Sequence, residues 1–275
     1  DVAGYAFIGS HAVGTKILRS VAAGPFNRPV IIEMGGKNPS YVTASADLDV
    51  AAEGVMRSAF GLQGQKCSSG SKVYVARAVY DDFMRRLVER TAALKIAPPL
   101  QPDVFMGPVI DENAATRYRK ACEEAGRDGN IRFGGTRLSG GVHDGGAYLQ
   151  PTIVEGLAPG HRLNKDELFL PFLSVQPYDR LEDAIADGND VLYGLTAGAY
   201  ATDEAELELF LDRAEAGALY ANRASGATTG AWPGVQTFCG WKGSGVAGKG
   251  GLGPYYVPQF MREQSRTIMR AGSGK

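Results

Sequence analysis

Tyr5-Ala-Phe-Ile-Gly-Ser-His-Ala-Val-Gly14 joins a short apolar run to a stretch of helical character that continues to residue 23. Residues 5–8 have the length and composition of a strand, and Gly9-Ser10 makes the turn. Ser10 is a good helix N-cap, because its hydroxyl can accept from an N–H of the first turn. A strand–turn–helix unit presents a helix N-terminus, which is a natural seat for phosphate. Residues 29–32 predict a second strand, closed by Glu33 and the pair Gly35-Gly36. Working outward, Asp47 caps a helix in which Leu48, Ala51, Ala52, Val55, Met56, Ala59 and Phe60 recur at helical spacing, ended by Gly61 and Gly64. Further strands are predicted at 72–76, 131–133, 148–154, 172–178, 195–200 and 218–221, and helices at 79–94, 111–127, 181–187 and 204–214. Strands that alternate with helices predict an α/β fold with a doubly wound, mostly parallel sheet. Residues 223–254 are rich in Gly, Ser and Thr and carry no periodicity; an irregular stretch that long is usually functional.

The composition narrows the function classes. Of 275 residues, 44% are hydrophobic and 21% charged, which fits a folded globular protein and excludes a disordered one. Lys and Arg number 29 against 30 Asp and Glu, a net charge of −1, so no basic excess serves nucleic acid or an anionic membrane. The longest apolar run, residues 168–175, is too short to span a bilayer and contains Pro171. Cys67, Cys122 and Cys239 are odd in number and far apart, which suits a reducing, cytoplasmic compartment. His11, His143 and His161 also lie apart, without metal-ligand spacing, so no metal site is expected. The sequence opens on Asp1, shows no secretory signal and is already inside a strand pattern by Tyr5, so it is expected to be a piece of a longer polypeptide.

Three residues are candidates for chemistry. Cys67 sits in Gly64-Gln-Lys-Cys67-Ser-Ser-Gly70, between a helix end and a strand. A free cysteine is most often a small buried hydrophobe, but polar and Gly neighbours suit a loop, and Lys66 favours a thiolate. Glu33 ends an apolar strand, and strand carboxyl ends face the ligand crevice of doubly wound sheets. A buried carboxylate there can act as a general base; a solvated strand end is the equal alternative. Glu167, among polar neighbours, says little alone. Gly243-Ser-Gly-Val-Ala-Gly248 matches a dinucleotide fingerprint only on paper, since no strand precedes it and no helix follows. No histidine lies in a motif that would make Cys67 part of a Cys–His hydrolase.

Taken together, the segments resemble the aldehyde dehydrogenase family. Glu33-Met-Gly-Gly-Lys-Asn-Pro39 resembles its glutamate motif and Gly64-Gln-Lys-Cys67-Ser68 its cysteine motif, 34 residues apart from Glu33 to Cys67. Phe7-Ile-Gly-Ser10 with Gly14 resembles its cofactor-side turn. Met106-Gly-Pro-Val-Ile110, Tyr148-Leu-Gln-Pro-Thr-Ile153, Glu167-Leu-Phe169, Tyr193-Gly-Leu-Thr-Ala-Gly198 and Phe238-Cys-Gly240 through Ser244-Gly245 follow in order over almost the whole chain. Within the family, Lys66-Cys67-Ser68-Ser69, Thr229-Gly-Ala231, Gly234-Val-Gln236 and Gly250 through Pro254 resemble the 1-pyrroline-5-carboxylate dehydrogenases, which oxidise glutamate γ-semialdehyde to glutamate.

The resemblance implies roles. Cys67 is the nucleophile and Glu33 the base that hydrolyses its thioester. Gly9, Ser10, Gly14, Gly35, Glu167 and Phe169 belong to the cofactor side, with NAD as cofactor and NADP as the alternative. Ser68, Gly230, Ala231 and Phe238 line the substrate site. Residues 1–33 would end a cofactor-binding domain, 34–242 form the catalytic domain, and 243–275 a tail that returns to the cofactor side. Within that tail, 262–269 would form a strand across a homo-oligomer interface. The sequence departs from the family pattern at Leu170, usually Gly, and at Thr237 and Cys239, usually Pro and Gly. The family's upstream segment, with most of the cofactor-binding sheet and an asparagine amide for the oxyanion, lies outside this sequence. The competing readings are a catalytically incomplete fragment, a dehydrogenase of another aldehyde, and a thiol esterase side activity. Transfer to coenzyme A is disfavoured by Glu33.

Overall fold

The computed structural model describes residues 2–224, 235–246 and 248–269. β1 (Tyr5–Gly9), α1 (His11–Ala22) and β2 (Val30–Met34) come first, and β1 and β2 pair in parallel as a separate two-stranded sheet. Ser10 caps α1 by accepting from the Val13 N–H at 3.4 Å. Gly14 lets α1 lie directly on β2: a Cβ there would stand 2.6 Å from the Met34 sulfur and 2.7 Å from Ile32 Cγ2. The chain then leaves this ribbon through Gly35-Gly36-Lys37 and enters a larger sheet.

That sheet is built from β3 (Asn38–Val42), β4 (Gly70–Ala76), β5 (Asn130–Phe133), β6 (Thr152–Glu155), β7 (Phe172–Tyr178), β9 (Thr196–Tyr200) and β10 (Ala218–Ala221). Its order is β10-β9-β3-β4-β7-β6-β5, and every pairing is parallel except β5 with β6. The mostly parallel α/β sheet expected from the alternation is therefore present. β8 (Tyr193–Gly194) and β11 (Trp241–Lys242) form a small antiparallel pair beside it.

Strand alternation sorts the core into two faces. Val42, Val73, Val75, Ile153, Leu173 and Val175 face one way and pack with α2 (Leu48–Phe60) and α3 (Tyr80–Ala92). Tyr41 and Tyr74 face the other way, against α6 (Leu181–Asn189) and α7 (Glu204–Arg213). Val154 and Phe172 pack with α4 (Glu112–Asp128). Asp47 caps α2 as expected, accepting from the N–H groups of Asp49 and Val50, and Asp111, expected as the first residue of α4, is instead its cap and accepts from Ala114 at 2.7 Å.

Several expectations need correction. β3 was not expected, because Asn38-Pro39-Ser40 has loop composition. It is a central strand with every residue buried. Pro39 is tolerated there because the β9 ladder begins only at Ser40 and the β4 register shifts between Asn38 and Pro39. The strand predicted at 148–154 is regular only over β6, since Leu149 merely makes a bridge to Arg137. The short helix α5 (Arg162–Lys165) was also missed, and the irregular 223–254 contains β11 and a bridge between Phe238 and Gly251.

Candidate active site

Glu33, Cys67 and Glu167 come from three separate segments and meet where the two sheets join. Glu33 lies near the end of β2 and is 6% exposed. Its Oε2 accepts from the Gly240 N–H at 2.8 Å, while Oε1 is buried with no hydrogen-bond partner among the described residues. Burial pushes its pKa from 4.5 up to about 7, against the opposing pull of the Gly240 N–H. A carboxyl with one free oxygen and a pKa near neutrality is suited to take a proton from water.

Cys67 follows a strained turn. Leu62, Gln63 and Gly64 all have positive φ, at 52°, 58° and 65°, and only the last is glycine. Asn38 then clamps the loop: its Nδ2 donates to the carbonyls of Cys67 and Ser69, each at 2.8 Å, and its Oδ1 accepts from the Thr196 N–H at 3.0 Å. Three strands' worth of backbone thus converge on one buried amide, which fixes the thiol without touching it. Burial raises the Cys67 pKa, as do the Glu167 and Glu33 carboxylates; the Ser68 N–H and Lys66 oppose them. Both carboxylates are therefore electrostatic neighbours of the sulfur.

Glu167 follows α5. Its Oε1 accepts from the Gly36 N–H at 2.9 Å, and the carboxylate lies so close over Gly35 that a Cβ there would stand 2.0 Å from Oε2. Gly35 is thus a cradle that any side chain would fill. Oε2 remains available to accept hydroxyl donors. Phe169 next to it is 39% exposed with φ of 58°. Tyr193 links this side to α1: its ring meets that of His11 edge-on at 6.3 Å, and burial, then Glu167 and Asp166, raise its phenol. Gly9 lies against the Phe7 ring, where a Cβ would come within 2.4 Å.

The substrate-side residues are placed unevenly. Ser68 is enclosed at 1% exposure with Oγ unpartnered among the described residues, so its N–H, not an exposed hydroxyl, addresses Cys67. Phe238 is half-buried and exchanges two 2.9 Å backbone bonds with Gly251. Gly230 and Ala231 lie outside the described residues. Cys239 is buried, and its thiol is raised by burial and by Glu33, which places this departure from the family pattern beside Glu33. Of the other two departures, Leu170 is a core side chain whose carbonyl abuts Gly64, and Thr237 packs closely on Gly253.

Sequence reasoning missed Asn38, Lys37 and Ser244. Ser244 is fully buried; its Oγ donates to the Gly35 carbonyl at 2.6 Å and accepts from Gly194 N–H at 3.0 Å. The Met34 N–H donates to the Ser244 carbonyl at 2.7 Å, and Glu33 bridges to Gly245. A polar residue in a glycine-rich stretch gave no sign of this. The spacing also hid a gathering of Glu124, Asp128 and His161, with ligand atoms within 4.8 Å of one another. There the His161 Nδ1 accepts from Leu163 N–H, while Arg162 and Arg127 occupy the carboxylates, so the group forms an ion-pair cluster.

A sequence profile of the aldehyde dehydrogenase family matches residues 1–265. The chain belongs to the aldehyde dehydrogenase family. Among its relatives in that family, 1-pyrroline-5-carboxylate dehydrogenase 2 of Bacillus subtilis is 36% identical over 266 residues, which cover 95% of this chain and 50% of that protein. The structure of 1-pyrroline-5-carboxylate dehydrogenase from Thermus with bound NAD superposes with a TM-score of 0.84 at 33% identity, over 93% of this chain and 48% of that one. Proline utilization A of Bdellovibrio bacteriovorus gives a TM-score of 0.86 at 38% identity, over 94% of this chain and 26% of that one. This aldehyde dehydrogenase chain therefore spans about half the length of the curated relatives it matches. Among the described residues, no helix is long and apolar enough to cross a membrane.

Proposed function

We propose that this chain carries the nucleophile and base of an NAD(P)-dependent dehydrogenase that converts glutamate γ-semialdehyde to glutamate. One observation carries the reading: a buried carboxyl with a pKa near 7 and a free oxygen, close enough to raise the thiol of Cys67. The substrate class rests on the relatives named 1-pyrroline-5-carboxylate dehydrogenase.

Cys67, as thiolate, adds to the aldehyde carbon; a C–S bond forms and the carbonyl electron pair moves to oxygen. Burial and the Glu167 and Glu33 carboxylates raise this thiol, the Ser68 N–H and Lys66 oppose them, and the neighbouring Glu33 carboxylate would take the thiol proton as the C–S bond forms. The bound nicotinamide supplies the acceptor for the hydride that leaves this carbon. In the thioester stage, Glu33 takes a proton from water, the water oxygen bonds to the acyl carbon, and the Cys67 sulfur leaves with its electron pair. Glu167 would hold the ribose hydroxyls on its free Oε2, the first turn of α1 would take the pyrophosphate, and Phe169 would pack against the cofactor. The fit of that group is supported by the Gly35 cradle and the free carboxylate oxygen.

The same reading makes the chain part of a homo-oligomer in a cytoplasmic pathway, with 262–269 as the contact. Ile268 and Met269 stand more than four-fifths exposed there.

The test is reduced-nicotinamide formation from glutamate semialdehyde and from a short aliphatic aldehyde, with NAD⁺ and NADP⁺ in separate arms. Turnover that favours the semialdehyde and vanishes in Cys67→Ala is expected. Equal rates with both aldehydes would remove the substrate assignment, and turnover by Cys67→Ala would remove the mechanism.

A further inference from the structure

Lys37 is the least expected residue in the core. It is 2% exposed and lies in the link between the two sheets, one residue after the Gly35-Gly36 turn on which Glu167 rests. Its ammonium gives one hydrogen bond, to the Leu163 carbonyl in α5 at 2.7 Å. Burial of such a charge is costly, and a methionine of the same length would fill the space without that cost. The charge therefore calls for an anion that uses it.

The surrounding charges show which one. Lys72, 1% exposed on β4, is committed to Asp187 at 3.0 Å and stacks over the Tyr74 ring at 4.6 Å. Lys165 is committed to Asp187 at 3.1 Å and to Asp190 at 2.8 Å. Both aspartates are thus taken. The carboxylates that act on Lys37 are Asp166 and Glu167, while Lys72 repels it. Asp166 is well exposed and shared with Arg162, so solvent screens it. Glu167 is mostly enclosed, and Lys37 is the cation that lowers its pKa against burial.

We infer that Lys37 is a positioning residue for Glu167, seating that carboxylate on the Gly35–Gly36 turn through its charge and through its hold on the Leu163 carbonyl. Two hydrogen bonds close the frame: Lys37 to Leu163, four residues before Glu167, and Glu167 to Gly36, next to Lys37. Each end of the α5 turn is pinned to one short backbone link. The inference rests on the reading of Glu167 as the cofactor-holding carboxylate.

The experiment is a double-mutant cycle in the intact protein, read as KM for the nicotinamide cofactor against kcat. Lys37→Gln keeps a donor for the Leu163 carbonyl and removes the charge. It should raise the cofactor KM about tenfold, the equivalent of roughly 1.4 kcal/mol, with a smaller change in kcat. Glu167→Gln should do the same, and the double variant should be no worse than Glu167→Gln. Additive effects, or an unchanged KM in Lys37→Gln, would overturn the inference. An unchanged KM in Glu167→Gln would instead remove the reading of Glu167. Should Lys37→Gln fail to fold, the parent protein supplies the second readout. Burial and Lys72 bring the Lys37 pKa from 10.5 down to about 7, against Asp166 and Glu167. The cofactor KM should then rise as pH passes 7, and Glu167→Gln should abolish that rise; its persistence would overturn the inference.

Discussion

Glu33 and Glu167 are both enclosed carboxylates beside one thiol, yet the proposed function gives them opposite duties. Among the described residues, Glu33 has a single N–H partner and one orphaned oxygen, and no cation is among the groups that shift it; burial raises its pKa to about 7 against the Gly240 N–H. Glu167 also has a single N–H partner and is also raised by burial, but the Gly36 N–H and Lys37 both oppose that rise. The difference is one buried lysine, which favours the charged form of Glu167 where Glu33 has no such neighbour. On the proposed reading, two residues of the same type divide into base and anchor through their surroundings.

The comparison can be broken in four ways. The largest effect is expected from Glu33→Gln, which should slow thioester hydrolysis about a hundredfold, within the range for loss of a general base. Rapid-mixing kinetics should then show a burst of reduced cofactor before slow turnover. A variant that lost acylation equally would deny Glu33 its separate role. Next, hydrolysis-limited turnover should rise roughly tenfold per pH unit below the Glu33 pKa of about 7 and level off above it, because only the ionised form takes a proton. Glu33→Gln should flatten that limb. Third, Gly35→Ala should weaken cofactor binding by about tenfold in Kd, since its methyl would displace the Glu167 carboxylate 2.0 Å away. Titration of the cofactor checks this, and unchanged affinity would free Glu167 from its assigned seat.

The smallest effect concerns stability. The Glu33 pKa is raised on folding, so its ionisation opposes the folded state: the penalty is absent below pH 4.5, grows between 4.5 and 7, and is complete above 7. Glu33→Gln should therefore stabilise the protein at pH 8 by roughly 1–3 kcal/mol, seen as a melting temperature a few degrees higher. At pH 4.5 the gain should nearly vanish. Equal gains at both pH values would point to packing rather than charge.

The sequence made some of this legible and hid the rest for physical reasons. β7 matches its predicted limits because its first five residues are buried on both faces, and β10 because its alternation of buried and half-buried residues suits an edge strand. The α2 cap was readable because a cap is a local hydrogen bond. Cys67 and Glu33 stood out through their neighbours. β3 did not, because Asn38 is buried by bonds to Cys67, Ser69 and Thr196, up to 158 residues away. Ser244 was equally hidden, since its partners Gly35 and Gly194 are 209 and 50 residues away. Polar residues buried by distant partners leave no periodic trace, and these are the residues that hold the site together.

The bond between Glu33 and Gly240 spans 207 residues of chain. Until Gly240 packs against β2, the Glu33 side chain has only water around it and the acidity of any glutamate. Its raised pKa is therefore a property of the closed tertiary fold and of no local stretch of sequence. Any opening that lifts the Gly240 segment away would return the carboxyl to its ordinary range before the rest of β2 unfolds.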